Sequence, residues 1–196
     1  MSSSNATAGA PRSTDDAILD AAADLIVHLG VRRTQLAEIA RRAGVSRPTD
    51  YRRWPDVQAV IGALLTREIL STLEGTSLEV HDRETFVDRV VEVAVRLRDH
   101  PVLGALLHSD DSDLLLRYVV ERLGASQRGL LEALRTGIEQ GQAVGSIRAG
   151  EPTELAAMVL LITQSTVQSH RMVASLLPEA AWRRELARAL NGYLAP

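Results

Sequence analysis

Apolar residues recur at spacings of three and four along nearly the whole chain, and no stretch alternates with the period of two that a half-buried strand needs. The pattern predicts an all-α protein of about nine to ten helices. In the first, Ile18, Ala21, Ala22, Leu25, Ile26 and Leu29 share one side, Ser13 or Thr14 stands at the N-cap, and Asp15 and Asp16 suit its positive end. Leu36, Ile39, Ala40 and Ala43 form one face of a second, with Thr34 expected as its N-cap and Gly44 supplying a left-handed end. A short third helix is expected over 47–53, capped by Ser46 and carrying Pro48 in its first turn, where an amide is not needed. Trp54-Pro55 leads into a long helix over 56–73, which Gly75-Thr76-Ser77 breaks. Asp82 opens the next, periodic in Phe86, Val90, Val93, Ala94 and Leu97, until His100-Pro101 interrupts. Further helices are expected over 102–108, 113–123 and 126–140, then a loop opened by Gly141 and Gly145. Glu151-Pro152-Thr153 starts a helix lasting to about residue 171, and Pro178 opens the last, closing near residue 194. The organisation expected is a disordered arm (1–13), a small helical domain (14–61) with its linking helix (56–73), and a larger helical domain (74–196).

Within the small domain, residues 34–61 read as a helix, a three-residue turn and a second short helix loaded with arginine, which is how a protein presents a helix to DNA. Ala40 is small enough for two helices to cross steeply over a short turn. Arg47, Pro48, Thr49, Tyr51 and Arg52 decorate the first turns of the second helix. Arginine can grip guanine with two bonds, threonine and tyrosine hydroxyls bond phosphate oxygens, and proline offers an apolar edge to a thymine methyl. Thr34, Gln35, Ser46 and Arg53 complete the candidate contacts. Residues 30–55 hold seven arginines against Glu38 and Asp50, a net of +5, leaving −8 elsewhere in a chain whose total is −3. A polyanion is drawn to that end and repelled by the rest. All 22 basic residues are arginine, a coding bias toward GC-rich codons, and Arg12 in the arm sits on a tail.

Other chemistry is thin. At 45% hydrophobic and with mean hydropathy near zero, the 196-residue chain can fill a sizeable core. Without cysteine there is no disulfide framework, no thiolate nucleophile and no zinc finger, and a cytoplasmic protein fits. The first thirteen residues lack an apolar core of signal-peptide length, and no apolar run is long enough to span a membrane. Phosphate-loop, dinucleotide and zincin motifs are missing, so an enzyme is not expected, and neither is a cofactor. Asp110, Asp111 and Asp113 suit a helix start better than a metal ion, and the five histidines (28, 81, 100, 108 and 170) form no ligand pair, so no metal is expected either.

The small domain resembles the DNA-binding domain of TetR-family transcriptional regulators, in Gly30, Thr34, Ile39-Ala40, Ala43-Gly44-Val45-Ser46, Tyr51 and Trp54. The resemblance covers residues 14–61 and implies that Arg47, Pro48, Thr49 and Tyr51 face the major groove and its phosphates, with Arg52 and Arg53 nearby. Two positions depart from the family pattern. Asp50 replaces a hydrophobic residue under the recognition helix, and Pro55-Asp56-Val57-Gln58 lacks the lysine that usually holds a phosphate. Asp50 reads as one half of an ion pair with Arg42, Arg47 or Arg53, or else as a change in operator binding.

For the larger domain the resemblance implies dimerisation through two C-terminal helices and a small-molecule pocket among the middle ones. The apolar character of residues 154–171 on nearly all sides agrees, because such a helix must be covered on both. Leu155, Met158, Val159, Ile162 and Thr166 make one stripe. Leu130, Leu134, Ala157, Leu160, Leu161, Gln164 and Gln168 are the expected interface of a two-fold homodimer, which in turn implies a palindromic operator on double-stranded DNA. With aromatic residues only 3% of the chain, an aliphatic pocket is expected. Its candidate polar handles are His108, Arg117, Tyr118, Gln164 and His170, while Phe86 and Met158 read as core and Trp182 as the anchor of the last helix. The function expected is a dimeric repressor released by a small-molecule effector. The alternative is a helical ligand-binding or interaction protein whose reading head is weakened or lost.

Overall fold

The computed structural model describes residues 13–46, 54–74, 82–107 and 125–196, and those residues fold into eight α-helices and one 3-10 turn, with no strand among them. The chain divides into two compact units, Met1–Leu64 and Leu65–Pro196. The expected helices over 47–53 and 113–123 and the arm up to residue 12 lie outside the described residues.

In the first unit, α1 (Thr14–Leu29) starts at Ser13, whose hydroxyl accepts from the Asp16 amide while the Asp16 carboxylate accepts from the Ser13 amide. This reciprocal box satisfies two of the donors a helix start leaves bare. Gly30, at φ 81°, ends it, and the 3-10 turn Val31–Arg33 leads to α2 (Leu36–Ala43). Thr34 does not cap α2, contrary to the sequence expectation. Gln35 holds the N-cap position without a side-chain bond, and the Thr34 hydroxyl instead donates 2.9 Å backwards to the Gly30 carbonyl. Burial explains the difference: at 4% exposure the hydroxyl must bond inside the protein, and the Gly30 carbonyl one turn back is within reach. Gly44 does what its position predicts, at φ 69° and ψ 24°, with the Val45 amide bonding back to the Ala40 carbonyl. α3 (Val57–Glu74) begins beside Asp56, whose carboxylate accepts from the Ala59 amide at 2.8 Å. Ile18, Leu25 and Ile26 of α1, Ile39 and Ala40 of α2, and Val60 and Leu64 of α3 are almost wholly buried.

The second unit adds α4 (Arg83–Asp99), α5 (Pro101–Leu107), α6 (Ala125–Ala143), α7 (Pro152–Val173) and α8 (Glu179–Leu194) to the rest of α3. Its core joins Phe86, Val87, Val90 and Ala94 of α4 to Ile138 of α6, Leu155, Ala156 and Val159 of α7, and Trp182, Leu186, Leu190 and Leu194 of α8. Each such large apolar side chain contributes about 1.5–3 kcal/mol on leaving water. Trp182 anchors α8 as expected, with the Arg98 guanidinium 5.0 Å over its ring and the His170 ring meeting its edge at 5.5 Å. Gly141 does not open a loop: α6 runs through it to Ala143. A Cβ at Gly141 would come within 2.4 Å of Ile147, so the glycine is there to let Ile147 fold back onto the helix. The turn after α6 is held by Ser146, which accepts from the Arg83 amide and donates to the Gly141 carbonyl, and by Arg148, which donates to the Tyr193 carbonyl at 2.8 Å. Met158 departs from its expected core position, being 42% exposed.

Candidate nucleic-acid interface and cavity

The head of the first unit is complete from α1 to Ser46. Gln35 and Ser46 are exposed at the two ends of α2, while Thr34 is buried and its hydroxyl is used internally. The candidate recognition residues Arg47, Pro48, Thr49, Tyr51, Arg52 and Arg53, and Asp50 among them, lie outside the described residues.

Two arginines of the basic patch are held by acids of their own unit. Arg41 grips Glu38 through two bonds of 2.9 and 2.5 Å; the guanidinium holds the Glu38 carboxyl below the usual carboxylate range, and Glu38 raises Arg41 in return. Arg42 pairs with Asp24, whose other carboxylate oxygen is 3.0 Å from His28 Nδ1. Of the three partners expected for Asp50, Arg42 is therefore already engaged. Both pairs sit in water, where such contacts contribute no more than about 1 kcal/mol, so a phosphate can compete for either guanidinium. At the start of α3, where the resemblance would put a phosphate-holding lysine, the Asp56 carboxylate caps the helix.

The second unit contains a cavity of about 450 Å3. Leu65, Ile69 and Leu73 of α3, Phe86, Val90, Val93, Ala94 and Leu97 of α4, and Leu103 of α5 form most of its apolar wall. The rest comes from α6, through Leu130, Ala133, Leu134 and Gly137, and from α7. Gly129 brings α6 close to α3, since a Cβ there would stand 2.9 Å from Leu70. At about 100° per residue the side chains of α7 fall into three sectors. Leu155, Val159 and Ile162 face the core; Leu160, Thr163, Gln164, Val167 and Gln168 face the cavity; Met158, Leu161 and Met172 face outward.

Residues 18–64 match the model of bacterial regulatory proteins of the tetR family. Over 181 residues the chain is 49% identical to the uncharacterized HTH-type transcriptional regulator Mb2274c of Mycobacterium bovis, an alignment covering 92% of this chain and 94% of that one. The chain belongs to the TetR family of transcriptional regulators. Its fold agrees with that of the fatty acid degradation regulator FadR from Bacillus halodurans, at a TM-score of 0.66 and 19% identity over 93% of this chain and 97% of that one. The SmeT–triclosan complex is similar at 0.62 and 23%, over 94% and 96% respectively. As members of this family are DNA-binding regulators, the chain is not an enzyme.

In this TetR-family protein the larger unit distributes the expected residues differently from the sequence pattern. Of the polar handles, Gln164 lines the cavity, His170 packs against Trp182 and is not among the lining residues, and His108, Arg117 and Tyr118 lie outside the described residues. Of the residues expected at a subunit interface, Leu130, Leu134, Leu160, Gln164 and Gln168 line the cavity, Ala157 is half-buried, and Leu161 stands 60% exposed. Thr163 was not among the residues expected at the pocket. Its signal was present in the sequence, since 160, 163, 164, 167 and 168 follow the spacing of a single helix face.

No helix among the described residues is long and apolar enough to cross a membrane. No group of three metal-ligating side chains occurs among them.

Proposed function

We propose that the protein is a dimeric, cytoplasmic one-component repressor whose paired heads read a palindromic operator and are released by a small molecule. The 450 Å3 apolar cavity carries this reading, because it gives the chain a ligand-sized space in addition to a DNA-binding head. Triclosan in the SmeT complex supports small-molecule binding on this fold. In this reading residues 14–61 form the head and 74–196 the regulatory and dimerisation domain.

The outward sector of α7 supports the dimer. Leu161 and Met172 are 60% and 84% exposed on one helix face, and Leu176 just beyond is 83% exposed, an apolar stripe that a second copy would cover. One short recognition helix spans only a few base pairs, so two heads about one helical turn apart are needed for a specific site. A ligand that prefers a form with wrongly spaced heads opposes DNA, with a coupling of about 1–3 kcal/mol.

The test is selection of genomic fragments by the purified protein at moderate salt, with Arg47→Ala alongside. A palindrome enriched by the wild type alone is expected, with affinity falling steeply as salt rises. Enrichment of no sequence by either protein overturns the repressor reading in favour of a helical binding protein with an idle head.

A further inference from the structure

The cavity's wall chemistry narrows its occupant, an inference that rests on the effector reading above. Among the described residues only Arg89 and Glu132 bring charge to the lining, and both are satisfied by neighbours. Arg89 donates to Glu92 at 3.0 Å, and Arg96 bonds the same carboxylate, which these arginines hold below its usual range. Glu132 is held by two bonds from Arg135, at 3.0 and 2.5 Å. All of these groups are partly exposed, and the rest of the described lining is uncharged and mostly apolar. Among the described lining residues, a ligand carboxylate or ammonium drawn past these pairs would leave water without gaining a counter-ion.

One polar group of the described wall has no hydrogen-bond partner among the described residues. Thr163 Oγ1 is buried and makes no hydrogen bond among the described residues, although a threonine inside a helix commonly bonds the carbonyl one turn back. Gln164, its neighbour on the same face of α7, adds an amide with both a donor and an acceptor. A buried hydroxyl left unbonded is a standing cost that a ligand group can remove. Phe86 is the only aromatic residue among the described lining, so the described wall offers no second ring to sandwich a flat heteroaromatic ligand.

We propose that the cavity takes an uncharged molecule with an aliphatic body and a single hydrogen-bonding head, seated with that head against the Thr163 hydroxyl and the Gln164 amide. The uncharged wall then sets the preference for a neutral head, and the Thr163 hydroxyl supplies the hydrogen bond that holds it.

The experiment is calorimetric titration of the full-length protein, without DNA, with decanol, decanoate above its carboxyl pKa, and decyltrimethylammonium. Decanol is expected to bind about tenfold or more tighter than either ion. Thr163→Val is expected to weaken decanol by about tenfold while leaving the ions unchanged, and Thr163→Ser to restore it. Thermal denaturation of the unliganded variants verifies that both are folded. Tighter binding of either ion, a Thr163→Val protein that binds decanol as well as the wild type, or no binding of any probe overturns the proposal. Because no DNA is present, an idle reading head leaves these outcomes unchanged, so failure of the regulator reading is seen separately in the fragment selection.

Discussion

Thr34 illustrates how one buried hydroxyl can be misplaced by a local rule. A threonine just before an apolar periodic stretch is a natural N-cap, and in this family pattern it also reads as a DNA contact. In the structure its hydroxyl reaches back to Gly30, because the side chain is inside the unit and the carbonyl at the start of the 3-10 turn is within reach. Thr34→Val keeps the shape and deletes the bond. We expect a loss of about 1–2 kcal/mol in chemical denaturation. Operator affinity should hold at temperatures where the variant is folded; a selective loss of DNA binding with unchanged stability would place the hydroxyl on the phosphate backbone instead.

Among elements, α6 and α7 show what periodicity leaves open. The apolar stripes of both are plain in the sequence, yet stripe width alone does not say which neighbour covers which sector. Two sides of α7 are apolar because they meet the core and the cavity, and Met158, Leu161 and Met172 make the outward side apolar as well. Gly141 was equally ambiguous: glycine ends a helix through its backbone freedom or allows close packing through its missing side chain, and only the contact with Ile147 decides. Gly141→Ala therefore tests packing rather than capping. It should cost about 1–3 kcal/mol by overpacking against Ile147, seen as a lowered denaturation midpoint with an unchanged slope. A neutral or stabilising result, as an alanine gives in an open helix, would contradict that contact.

For the whole molecule, the proposed function requires a dimer, and the outward sector of α7 is its proposed seam. Replacing Leu161 with arginine puts a charge in the middle of the apolar stripe without touching the core or the cavity wall. Sedimentation equilibrium should show the wild type as a dimer and Leu161→Arg as a monomer, with helical content retained. A wild type that sediments as a monomer at micromolar concentration would remove the two-fold arrangement from which a palindromic operator follows.

The sequence by itself determined the helical class, most helix starts and stops, the Gly44 turn and the family, because these depend on neighbours three and four residues apart and on turn residues with their own backbone preferences. It also pointed to Trp182 as an anchor and to Gln164 at the pocket. The tertiary structure alone decided that Thr34 bonds Gly30, that Arg42 serves Asp24, that Met158 faces outward, and that the Thr163 hydroxyl has no hydrogen bond among the described residues. Each depends on a partner distant along the chain or on which helix covers a given face, and packing between helices sets both, whereas spacing within one helix sets neither.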